Sequence, residues 1–141
     1  MKTVLVTGGS GFIGSHTCLV LLKNGFQIYV IDSFINSSAK SLEKVLEILK
    51  NTGIDAERNI KLFNIDLKND KKVEEIFHNA HAANQSIEAV IHFAGLKSVS
   101  ESISKPLKYW ENNVIGTINL LKIMGKYNCK TIVFSSSATV Y

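Results

Sequence analysis

Short apolar runs alternate along the chain with amphipathic stretches. Lys2–Val6, Phe26–Asp32, Ile60–Asn64, Ala89–Phe93 and Thr131–Phe134 are short and dominated by β-branched, aromatic or other apolar residues. Runs of that kind mark strands, and the composition of Lys2–Val6 is that of one buried on both faces, as in parallel sheets. Between them apolar residues recur at helical spacing. Ser15–Lys23 stops at Asn24-Gly25; Leu42, Val45, Leu46 and Leu49 share a face that ends at Asn51-Thr52-Gly53; Val73, Ile76, Phe77 and Ala80 form the apolar face of a helix over Lys71–Ala80. Pro106 suits a first helical turn, and the longest predicted helix runs from there to about Gly125, with Leu107, Trp110, Val114, Thr117, Leu121 and Met124 as its stripe. Asn112 and Asn113 interrupt that helix; asparagine is a poor interior residue, so a buried amide there needs a ligand or backbone partner. Residues 36–38 read as a turn and 54–59 as a polar loop. Five strands alternating with helices predict a doubly wound parallel α/β sheet with right-handed crossovers, strand order 3-2-1-4-5, and a crevice between the first and fourth strands.

Composition narrows this picture without redirecting it. The 141 residues suffice for one domain, 1–141, with a sizeable core. A hydrophobic content of 45% against 20% charged is that of a globular chain. The net charge of +4 comes from scattered lysines, with Arg58 the single arginine and no interleaved aromatics. That is a solvated surface, not a nucleic-acid patch. No apolar run reaches the ~18 residues of a membrane span, and a strand opens the sequence where a signal peptide would need charged and apolar regions. Cytoplasmic residence is expected, with no membrane or nucleic-acid partner. Cys18 and Cys129 belong to no C-x-x-C pair and read as buried thiols. His78 and His81 lack a third ligand, so no metal site is expected. His92, inside an apolar strand, reads as a hydrogen-bonded core histidine.

The chemistry gathers at Thr7-Gly8-Gly9-Ser10-Gly11-Phe12-Ile13-Gly14, between the first strand and the first helix. Glycines permit a sharp turn and close approach of a pyrophosphate, and free amides at the helix start face the phosphates. Gly9 and Gly14 also have the gap of a nucleoside-triphosphate loop, but Ser15 stands where that loop needs lysine. Asp32 ends the second strand eighteen positions after Gly14, near the offset of a ribose-binding acid. A carboxylate there accepts from both ribose hydroxyls and repels a 2′-phosphate, which makes the expected cofactor NAD rather than NADP. Asp66, past the third strand, can accept from an adenine amino group or cap the following helix; spacing does not decide between them. Phe93, Ala94 and Gly95 leave room for a cofactor at the fourth strand's end. Lys97 at the rim is a phosphate contact or a surface lysine. Ser137 can bond a substrate oxygen or cap the fifth strand's end.

Val6–Thr17, His92–Lys97, Asn112–Thr117 and Phe134–Tyr141 together resemble the extended short-chain dehydrogenase/reductase superfamily, and within it the N-terminal part of the UDP-glucose 4-epimerase family. The resemblance covers essentially the whole chain; Ala94-Gly95-Leu96-Lys97 combined with Ser135–Tyr141 is its most specific part. It implies a Rossmann-like sheet, cut after the fifth strand and lacking the substrate domain. It also implies an NAD that takes hydride from carbon 4 of a UDP-hexose and returns it to the other face of a keto intermediate, interconverting UDP-glucose and UDP-galactose. By that resemblance Gly8, Gly11, Phe12, Ile13 and Gly14 hold the pyrophosphate, Asp32, Asn36 and Ser37 the adenosine ribose, Asp66 and Leu67 the adenine. Phe93, Ala94 and Gly95 lie along the cofactor, Lys97 near its phosphates and ribose, Asn112 where it places the nicotinamide or a structural water, and Ser137 in the hydrogen-bond network of the sugar hydroxyl. The family's base is the tyrosine of a Tyr-x-x-x-Lys pair, in which lysine keeps the tyrosine pKa low. Tyr141 ends the sequence and matches a different tyrosine, so the chain reads as a fragment, inactive by itself. A nucleotide-sugar 4,6-dehydratase would need an extra acid and base where Ala138 and Thr139 stand. The family implies a homodimer through helices including 106–125, and a sheet cut at its fifth strand leaves an apolar edge inclined to associate.

Overall fold

The computed structural model describes residues 1–136; Ser137 to Tyr141, including the candidate catalytic serine, lie outside the described residues. Five strands form one parallel sheet: β1 (Thr3–Thr7), β2 (Gln27–Asp32), β3 (Ile60–Asn64), β4 (Ile87–His92) and β5 (Thr131–Phe134), in the order β3-β2-β1-β4-β5. This is the doubly wound Rossmann-like topology that the alternation predicts. Helices α1 (Phe12–Lys23) and α2 (Lys40–Asn51) cover one face, and α3 (Asp70–Ala82) covers the other together with a helix begun at Gly116.

The period of two along each strand divides the core. Val4, Val6, Ile28 and Val30 point to the α1–α2 side with Cys18, Leu22, Val45 and Leu49. Leu5, Tyr29, Ile31 and Val90 point to the other side with Val73, Phe77, Leu120 and Met124. Both faces of β1 and β2 are therefore buried, which is why their sequences show no polar alternation. Both cysteines are free and buried, and burial pushes the Cys18 thiol up to about 12 and raises that of Cys129, so neither is a thiolate at neutral pH. Among the described residues no helix is long and apolar enough to cross a membrane.

Register carries the functional geometry. Thr7 pairs with Ile31 and His92, Asp32 with Asn64, and His92 with Phe134. The C-terminal ends of all five strands thus form one rim. Between Thr3 and Val4 the pairing with β4 skips Glu88, so β4 begins two residues earlier than the apolar run Ala89–Phe93 indicates.

The predicted longest helix is not continuous. It consists of α5 (Pro106–Tyr109), a π-helical turn (Trp110–Ile115) and α6 (Gly116–Lys126). Asn112 donates to the Lys108 carbonyl at 2.9 Å and the Thr117 hydroxyl to the Asn113 carbonyl at 2.7 Å. Side chains that bond local carbonyls compete with the regular ladder, and the wider turn shifts the helix phase. The buried face is consequently Gly116, Leu120, Ile123 and Met124, whereas Leu107, Trp110 and Leu121 of the expected stripe are exposed. A short helix, α4 (Val99–Ser104), precedes it; the Ser98 hydroxyl accepts from the Glu101 amide. Ser98-x-x-Glu101 is the sequence signal for this helix, although the apolar pattern does not reveal it.

Candidate functional site

A cleft of about 470 Å³ opens at the C-terminal ends of β1, β2 and β4. It brings together Gly8, Gly11, Phe12, Ile13, Gly14, Asp32, Asn36, Ser37, Asp66, Leu67, Phe93, Ala94, Gly95, Lys97 and Asn112, every candidate cofactor residue named from the sequence. Ser33, Ile35, Ile65, Leu96 and Ser98 line it too. Each of these is next in sequence to a residue singled out for its chemistry, and that adjacency was the available signal.

The bend after β1 forms the floor. Gly8 has φ +66°, and a Cβ there would lie 2.8 Å from the Ala94 nitrogen. Only glycine lets this bend sit so close to the segment that follows β4. Gly11 begins α1 in extended backbone, no side chain caps the helix, and its first turn carries no acidic residue. The first amides of α1 therefore remain available to an anion, with the helix dipole reinforcing them.

Asp32 is 8% exposed and anchors the adjoining wall. Its Oδ2 accepts from the Ser10 amide at 3.0 Å, and its Oδ1 from the Phe34 amide at 2.9 Å and the Ser37 hydroxyl at 2.8 Å. Phe34 reaches that position at φ +57°, a conformation a bulky residue adopts only where surrounding contacts demand it. Asp32 thus links the glycine bend to the β2–α2 loop and keeps accepting capacity toward the cleft, since a carboxylate offers about four lone-pair sites. Arg58 lies in the 3-10 turn (Glu57–Asn59) that leads into the N-terminal end of β3, at the opposite end of the sheet.

Asp66 does not cap α3. Asn69 does, accepting from the Lys72 amide at 3.2 Å, whereas Asp66 bonds the Lys68 amide at 2.9 Å and borders the cleft. Lys97 is exposed at the rim. The loop carrying it is clasped by Asn113, which receives the Leu96 amide on Oδ1 at 2.8 Å and donates Nδ2 to the Leu96 carbonyl at 2.9 Å. The partner required by the asparagine pair is therefore backbone for Asn113. Asn112 bonds the Lys108 carbonyl and borders the cleft.

Beneath the rim His92 is 2% exposed, with Nδ1 2.6 Å from the Thr7 hydroxyl and Nε2 2.9 Å from that of Thr117. It is the hydrogen-bonded core histidine that its apolar strand implies. Burial lowers its pKa from the ordinary value of about 6.5. The unfolded chain then takes up a proton, on falling pH, before the folded one does. His92's contribution to stability is complete above about pH 6.5 and is lost below it. Denaturation midpoints are expected to fall between pH 7 and 5.5, more steeply than in His92→Gln; equal slopes would contradict this.

Among the described residues no three His, Cys, Asp or Glu side chains gather as a metal cluster, and His81 bonds the Ser86 hydroxyl at 2.9 Å.

Comparison with other proteins agrees with this fold. The chain is 48% identical over 140 residues to UDP-glucose 4-epimerase 2 of Arabidopsis thaliana, and 51% identical over 138 residues to the UDP-glucose 4-epimerase of Bacillus subtilis. It spans 99% and 98% of itself but only 37% of the length of each relative. The crystal structure of UDP-glucose 4-epimerase from Bifidobacterium longum, in complex with NAD+ and UDP, superimposes with a TM-score of 0.85 at 44% identity, over 99% of this chain and 38% of that one. The Stenotrophomonas maltophila enzyme, with bound NAD and formylated UDP-arabinopyranose, gives 0.84 at 38% identity, over 100% of this chain and 38% of that one. Residues 5–141 match the family described as GDP-mannose 4,6 dehydratase, and the chain belongs to that family.

Proposed function

We propose that this chain is the NAD-holding part of a UDP-glucose 4-epimerase, which interconverts UDP-glucose and UDP-galactose through a 4-keto intermediate. The observation that carries the reading is the joining of an uncapped helix start and a cleft-lining carboxylate, Asp32, whose Oδ2 accepts from the Ser10 amide. In this reading the α1 amides hold the pyrophosphate, Asp32 with Asn36 and Ser37 holds the adenosine ribose, and Asp66 and Leu67 meet the adenine. Phe93, Ala94, Gly95 and Asn112 lie along the nicotinamide half, and Lys97 reaches the phosphates or ribose. NAD supplies the hydride acceptor; the chain's own groups bind it, orient it and exclude water from the cleft floor. Ser137 is proposed to share the sugar's hydrogen bonds. The epimerase names of the relatives support this over a dehydratase reading, as do Ala138 and Thr139, which carry no efficient proton-transfer group.

The sequence contains no Tyr-x-x-x-Lys. The 141-residue polypeptide by itself is therefore expected to bind NAD but not to convert UDP-galactose. Isothermal titration with NAD and NADP, beside a coupled assay, tests both parts: no NAD binding ends the cofactor assignment, and measurable conversion ends the inactive-chain assignment.

A homodimer belongs to the same proposal. Ile103, Leu107, Trp110, Val114, Ile118 and Leu121 are exposed along α4 to α6, an apolar surface suited to a second copy. Sedimentation velocity should find a dimer that Trp110→Glu weakens. A monodisperse monomer at high concentration would exclude it.

A further inference from the structure

His92 does more than fill the core between β4 and α6. The Thr117 hydroxyl donates to the Asn113 carbonyl at 2.7 Å, so its oxygen receives a hydrogen from His92 Nε2 at 2.9 Å. A neutral imidazole has one N–H, which makes Nδ1 the acceptor for the Thr7 hydroxyl at 2.6 Å. The Thr7 oxygen in turn accepts from the Ala94 amide at 3.2 Å. All donors and acceptors in the chain Ala94–Thr7–His92–Thr117–Asn113 then run in one direction, and the tautomer follows from that network. The Nδ1–H tautomer would instead set a bare Nε2 against the Thr117 oxygen, whose hydrogen already goes to Asn113, and would take from the Thr7 hydroxyl hydrogen its Nδ1 acceptor. Ala94 is also the residue whose nitrogen lies closest to the Cβ position of Gly8. The Thr7 hydroxyl oxygen, with the Thr7 carbonyl that accepts from the Phe93 amide at 3.0 Å, holds the post-β4 segment beside the glycine bend.

We propose that His92 is a positioning residue for the dinucleotide cleft: as the neutral Nε2–H tautomer it turns the Thr7 hydroxyl so that the Thr7 oxygen holds the Ala94 amide against the floor beside Gly8. The consequence for the cofactor rests on the NAD reading; the consequence for Ala94 does not.

Nitrogen-15 NMR of the imidazole in the wild-type chain tests the tautomer directly. Protonated Nε2 with bare Nδ1 at pH 7 is expected, and the reverse tautomer or an imidazolium overturns the proposal. Asparagine and glutamine each imitate one ring nitrogen. His92→Asn returns an acceptor near Nδ1, whereas His92→Gln returns only a group near Nε2. Amide exchange at Ala94 should accelerate in H92Q and in Thr7→Val and stay near wild type in H92N. The NAD Kd should rise about tenfold in H92Q and T7V, as for one lost hydrogen bond, and stay within about threefold in H92N. Because His92 acts through Thr7, the H92Q/T7V double variant should bind no more weakly than T7V alone. Equal losses in H92N and H92Q, or multiplying losses in the double variant, would reduce His92 to a space-filling role. If the wild-type chain does not bind NAD, the cofactor assignment fails, and the Ala94 exchange rates still decide this proposal.

Discussion

Gly14→Ala is expected to cost about 2–4 kcal/mol of folding stability and to abolish dinucleotide binding at any concentration where the wild type is half-saturated. A Cβ at position 14 would press on the Gly8 carbonyl oxygen well inside contact distance, with the Gly9 Cα at 2.8 Å and the Gly8 carbonyl carbon at 3.0 Å. These are backbone atoms of the bend itself, so no rotamer change can relieve the overlap. The bend would have to open. Opening it draws Gly8 away from Ala94 and Ser10 away from Asp32, which removes the floor and one wall of the cleft together. Gly125 provides the contrast: it lies inside α6, and a Cβ there would have nothing within 4 Å. Gly125→Ala should stabilise by about 0.5–1 kcal/mol, because alanine loses less backbone entropy in a helix. Urea denaturation of the two variants separates steric packing from a general glycine effect. An unchanged midpoint in Gly14→Ala would show that the bend is not closed around this residue.

Much of this architecture is legible in the sequence because single residues specify it. Short two-face apolar runs identify β1 and β2, and the glycine spacing identifies the bend between β1 and α1. Features set by tertiary contacts were less legible. At the π-helical turn Trp110–Ile115, beside the local bonds of Asn112 and Thr117, Asn113 reaches the Leu96 backbone, seventeen residues away in the chain. Helical periodicity carries no record of such a partner, so it places Leu107, Trp110 and Leu121 on a buried stripe where the structure exposes them. Asp66 illustrates a related limit. Aspartate is suited both to capping and to a strand-end site, and only the placement of Asn69 as the cap of α3 separates them. His92 was recognisable as a core histidine from its apolar strand, but its partners Thr7 and Thr117 are 85 and 25 residues away. Their joining requires the β1–β4 register that the fold supplies.

Asp32→Ala is expected to weaken NAD by roughly 1–3 kcal/mol, as when charge-assisted hydrogen bonds are lost. The same change should narrow the preference for NAD over NADP. Two effects contribute, and they can be separated. The carboxylate accepts from the ribose diol in the proposed complex, and independently it holds the Ser10 amide, the Phe34 amide and the Ser37 hydroxyl. Alanine removes both functions and leaves the Ser10 amide without its acceptor. Asparagine keeps one carbonyl oxygen for the loop but loses the charge, so Asp32→Asn should recover much of the stability and less of the NAD affinity. For NADP the balance differs. A 2′-phosphate near Asp32 meets like charge, and the chain's single arginine, Arg58, stands at the far end of the sheet. Removing the carboxylate therefore harms NADP less than NAD, and the ratio of the two dissociation constants should move toward unity. Titration calorimetry of the wild type and both variants with both dinucleotides measures that ratio. Equal wild-type affinities, or an NAD affinity unaffected by Asp32→Ala, would remove Asp32 from the ribose.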